Sequence, residues 1–167
     1  PLLFKKSDFV IVSQEAVLGM IEVKTSLTSG NIEETIEKAH ENGALIDRKI
    51  FNGIFSYNNY NSSDNADLRL TDKIERALRE HNGKVDHICF GKDNFLKYWE
   101  DGLPQGQPNN KYRLYKIYDL AFGYFISNLI EECYIAVCEQ PLPQTLKNVF
   151  YPIENTKEAH TAETLIL

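Results

Sequence analysis

The amino-acid sequence predicts an α/β domain: a central mixed β-sheet flanked by helices. Two observations carry that expectation. Between Val17 and Phe90, apolar β-rich runs alternate with amphipathic helical stretches, and a strand, helix, strand order of this length favours right-handed crossovers and parallel pairing. The 167 residues, 43% hydrophobic and 25% charged, are ordinary globular values with enough chain for one sizeable core.

The elements follow in order. Leu2-Leu3-Phe4 reads as the end of a strand. Phe9 to Val12 and Val17 to Val23 read as two strands of a hairpin, joined by the polar turn Ser13-Gln14-Glu15. Asn31 and its polar neighbours offer helix caps, Ile32, Ile36 and Ala39 fall at helical spacing, and Asn42-Gly43 stops that helix. Ile50 to Tyr57 is a β-rich run, Asn58 to Asp64 a polar loop, and Asp67 to His81 a second helix with Leu70, Ile74, Ala77 and Leu78 inward. Lys73, Arg76 and Arg79 lie on its polar side as a solvated face. Val85 to Phe90 reads as a strand in which His87 is a hydrogen-bonded core histidine, with a site role second. Asn94 to Glu100 is expected to form a short helical turn, Gly102 to Asn110 a flexible loop, and Tyr112 to Tyr118 a strand. Asp119 is expected to cap a long helix, Leu120 to Cys138, whose apolar residues run nearly all round it. Such a helix is buried on most sides or packs on a second chain, which makes a homo-oligomer through 120–138 an expectation. Pro141 and Pro143 end it, and residues 146–167 read as a loosely ordered tail.

Composition narrows the function. A net charge of -6 opposes strong unaided attraction to a polyanion. No signal peptide is recognisable, and Asn128, Glu131 and Glu132 interrupt the longest apolar stretch, which excludes it as a membrane span. Cys89, Cys133 and Cys138 lack metal-ligand spacing, so reduced, buried thiols in a cytoplasmic protein are expected.

Chemistry concentrates at Asp8, Glu22 and Lys24. Side chains alternate along a strand, so Glu22 and Lys24 share a face and Val23 takes the other. A hairpin turning around Glu15 sets Asp8 directly across from Glu22, and facing like charges destabilise a sheet unless something neutralises them. A divalent cation would do so, and oxygen ligands suit Mg2+ or Mn2+. An ordinary solvated strand face is the competing reading of Glu22-Val23-Lys24, and a turn-capping role that of Asp8.

Asp8 followed on the next strand by Glu22-Val23-Lys24 resembles the motif of the PD-(D/E)XK nuclease superfamily. Ile21 to Leu27 leading into a helix, together with the long apolar helix, is also similar to an uncharacterised bacterial domain family within it. The resemblance implies a restriction-endonuclease-like fold over residues 1–167 and a metal-dependent nuclease acting on phosphodiester bonds, in DNA rather than RNA. Asp8, Glu22 and the Val23 carbonyl would hold Mg2+ or Mn2+, and Lys24 would orient or activate the attacking water. A part in bacterial defence follows by analogy. Two departures stand: no Pro precedes Asp8, and the helix that leads the motif Asp in the superfamily is missing from residues 1–7. Both lean toward the alternative, a catalytically inactive nuclease-like fold that binds nucleic acid or a protein.

Overall fold

In the computed structural model, residues 2–6, 9–59, 64–81, 83–100 and 111–150 are described. Strands β1 (Leu2–Lys6) and β2 (Phe9–Val12) form an antiparallel pair. A 3-10 turn, Gln14–Ala16, leads to β3 (Gly19–Leu27), followed by α1 (Ile32–Ala44), β4 (Phe51–Asn59), α2 (Asp64–His81), β5 (His87–Phe90), β6 (Asn94–Tyr98), β7 (Tyr112–Lys116), α3 (Ala121–Cys138) and α4 (Gln144–Phe150). The main sheet has the order β3-β4-β5-β6-β7; β3, β4 and β5 are parallel, and β6 and β7 are antiparallel to their neighbours. The expected α/β architecture with a mixed central sheet is therefore present.

Both parallel crossovers step the same way along the sheet, so right-handed connections put α1 and α2 on one face. Ile32, Ile36 and Ala39 of α1 and Ile74, Ala77 and Leu78 of α2 meet Ile54, Ile88, Leu96 and Leu114 there. The other face carries Phe51, Cys89 and Phe95, and α3 covers it with Ala121, Tyr124 and Phe125. Period-two alternation explains the division: Ile54 and Phe55, or Leu96 and Phe95, are successive residues that point to opposite cores.

Two close approaches fix the layers. Gly43 lies in α1 where an added Cβ would stand 2.2 Å from Asn52 Nδ2. Asn52 uses that space to donate from Nδ2 to the Ala39 carbonyl at 2.9 Å and to the Lys84 carbonyl at 2.6 Å, tying β4 to both flanking connections. On the other face, a Cβ on Gly53 would be 2.7 Å from both Phe125 Cζ and Phe51 Cε1, so bare backbone lets α3 settle against the sheet.

Several local expectations change. The hairpin between Phe9–Val12 and Val17–Val23 does not form: β2 pairs with β1, and β3 takes β4 as its parallel partner. Asn94 to Tyr98 is a strand, because pairing with β5 and β7 on its two sides outweighs the local turn preference. Leu120, not Asp119, occupies the N-cap of α3; Asp119 adopts φ 57° and binds Lys92 at 2.7 Å. Helix α3 is not enclosed on most sides, since Ile126, Ile130 and Val137 remain exposed. Of the cysteines, all unpaired, only Cys89 is buried, and burial pushes its thiol up to about 12. The expected loop at 102–110 lies outside the described residues, as does the tail beyond Phe150.

Candidate nuclease site

Glu22 and Lys24 sit on β3, the terminal strand of the main sheet. They point to the face that α1 covers, opposite Ile54 and Ser56 of β4. Lys24 Nζ meets Glu22 Oε1 at 2.9 Å, and Lys38 Nζ, from α1, meets the same oxygen at 3.5 Å. The Lys24 hydrogen bond and the two positive charges hold the Glu22 carboxyl below the usual carboxylate range, against a smaller opposing effect of burial. Glu22 is thus an ionised, half-buried carboxylate, and among the described residues both ion pairs fall on Oε1.

Val23 points to the opposite face and is 57% exposed, and Ile21 on that face is 38% exposed. The site is therefore at an open flank of the sheet, not enclosed by apolar strands. The Glu22 charge, for which a divalent cation was the expected neutraliser, is offset here in part by two ammonium groups. Asp8 lies outside the described residues, so the structure brings together Glu22 and Lys24 of the three expected residues and adds Lys38. Nothing in the spacing from Lys24 to Lys38 signals that contact, which depends on how α1 lies across β3.

An ionised carboxylate beside a lysine on a terminal strand suits a hard cation. Among the described residues, Lys73, Arg76 and Arg79 of α2 are held in ion pairs. Lys73 and Arg76 both engage Glu33, and Arg79 engages Glu75.

A second polar cluster lies across the sheet. Asp86, just before β5, and His87, its first residue, approach Glu132 in the middle of α3, with one ligand atom from each within 4.8 Å of the others. The signals were in the sequence: two polar residues opening an apolar strand, and a glutamate inside an apolar helix.

No protein-family model matches the chain, and no curated protein matches it significantly in sequence. Among solved structures it is similar to two of NucC, both in a cAAA-bound form. The P. aeruginosa protein superposes with a TM-score of 0.58 at 15% identity, over 86% of this chain and 61% of that one. The E. coli protein gives 0.54 at 16% identity, over 78% and 58%. The chain thus spans about three fifths of the length of the proteins it matches. At this identity the likeness concerns the fold alone: a mixed five-stranded sheet with flanking helices, shared with these two structures.

Proposed function

We propose that the chain is a metal-dependent nuclease that hydrolyses phosphodiester bonds in DNA, in the setting of bacterial defence. The observation that carries this is the Glu22 carboxylate held 2.9 Å from Lys24 on one face of a strand in a nuclease fold. Glu22, the Val23 carbonyl and Asp8 are the groups that would hold Mg2+ or Mn2+. When bound, the cation supplies Lewis-acid polarisation of the phosphate and makes a nucleophilic hydroxide accessible near neutral pH. Lys24 orients the attacking water through its ammonium and offsets negative charge growing on the phosphate oxygens. Lys38 steadies the Glu22 rotamer from α1 and adds positive charge on the side where a phosphate would approach. An assembly through the exposed Ile126, Ile130 and Val137 stripe of α3 belongs to the same reading.

One observation favours the alternative, a nuclease-like module that binds without cleaving: Lys24 and Lys38 already share Oε1 of Glu22. Plasmid cleavage with and without Mn2+ separates the two. Glu22→Gln and Lys24→Ala are each expected to lower the metal-dependent rate by at least about 100-fold. Cleavage that survives both substitutions removes the mechanism, and a folded wild type without activity favours the binding module.

A further inference from the structure

We propose that His87 and Glu132 bind a first-row transition-metal ion of the zinc type, with Asp86 orienting the imidazole from behind. The pair joins β5 to α3 on the face of the sheet opposite Glu22 and Lys24. It is therefore a separate site from the one assigned to the nuclease reaction.

The imidazole is committed by its surroundings. Asp86 Oδ1 accepts the Asn52 backbone N–H at 3.1 Å and lies 2.7 Å from His87 Nδ1. An oxygen already serving as acceptor assigns the Nδ1 hydrogen to the bond between them. Phe51 stacks on the ring at 4.5 Å between centroids and Phe95 at 5.9 Å, so the ring plane is fixed as well. His87 is 1% exposed, yet its Nε2 has no hydrogen-bond partner. That nitrogen faces Glu132 Oε1 at 3.7 Å, too long for a hydrogen bond.

The spacing suits two ligands of one small ion. Zinc takes nitrogen and oxygen ligands at about 2.0–2.2 Å, and tetrahedral geometry places two such atoms about 3.4 Å apart. A carboxylate behind a metal-binding histidine is the usual device for fixing its tautomer and raising its basicity. An imidazole in the donor set selects zinc, cobalt or nickel over magnesium. Glu132, though not His87, also borders a cleft of about 500 Å³ with Leu18, Arg48, Lys49 and Phe51.

Co2+ titration of the metal-stripped full chain, followed by visible absorption, tests the site. One equivalent should produce the ligand-field bands of a low-symmetry cobalt site. Glu132→Gln should abolish them, and Glu22→Gln should leave them in place. In the wild type, Zn2+ should move the imidazole 15N resonance of His87 Nε2 while Nδ1 keeps its hydrogen. At about 100 times Kd it should also raise the melting temperature by about 5–10 °C. Bands that persist in Glu132→Gln overturn the site, as does a folded wild type with no bands and no His87 shift. The latter outcome leaves a metal-free His87 lodged between two carboxylates. Because none of these readouts is cleavage, they stand whether or not the nuclease mechanism does.

Discussion

Glu22 and Lys24 owe their meeting to strand periodicity, which a sequence displays directly: two residues apart on β3, they share a face, and the structure sets their charged ends 2.9 Å apart. Lys38 is a different kind of residue, because only the docking of α1 on β3 brings it to the same carboxylate. His40 is likewise defined by packing. It is half-buried, its ring stacks on His81 of α2 at 4.3 Å, and its Nδ1 lacks a hydrogen-bond partner. Burial, aided by repulsion from His81, holds the imidazole below its ordinary value. The folded state therefore binds fewer protons than the unfolded chain around the histidine range. Its contribution to stability is full above about pH 6.5 and declines as the pH falls below that value. Thermal melting at about pH 7.5 and 5.5 should show a smaller loss for His40→Gln than for wild type. Equal losses would mean that the α1–α2 contact does not sense this proton.

At the scale of elements, legibility followed whether local pattern and tertiary pairing agreed. The α1 and α2 helices and strands β4 and β5 were readable because apolar spacing and burial coincide, as at Ile32, Ile36 and Ala39 or at Ile74, Ala77 and Leu78, whereas β3 was readable from its β-rich run although Ile21 and Val23 are exposed. The β2–β3 hairpin was misjudged because adjacent strands with a polar turn pair by default, whereas β3 found β4 across α1. The Asn94–Tyr98 strand was missed because its two partners lie on either side in space and one of them follows in sequence. Helix α3 looks uniformly apolar in sequence, and only the structure separates the Tyr124–Phe125 side from the exposed Ile126–Ile130 side. Asn52 illustrates how one polar residue can join three elements, since it was unremarkable within a β-rich run. Asn52→Ala should destabilise the fold by about 2–3 kcal/mol in urea unfolding, because the Ala39 carbonyl, in a buried bond, and the Lys84 carbonyl, in a part-buried one, lose their donor. A loss below about 0.5 kcal/mol would show that water replaces it.

Among the described residues the main sheet lies between two helical layers, α1 with α2 on one face and α3 on the other, and the two candidate sites face opposite ways across it. Glu22 depends on the α1 layer, and Glu132 depends on where α3 rests. That position is governed at Gly53, whose missing side chain admits the Phe51 and Phe125 rings. Gly53→Ala should cost about 1–3 kcal/mol through overpacking and should weaken cobalt binding, as read by urea unfolding and by titration. The cleavage site on the other side would be disturbed far less, since its residues contact α1. A single methyl group at position 53 would thus act as a wedge under one layer only, prising the helix outward and widening the His87–Glu132 gap beyond the span of one ion.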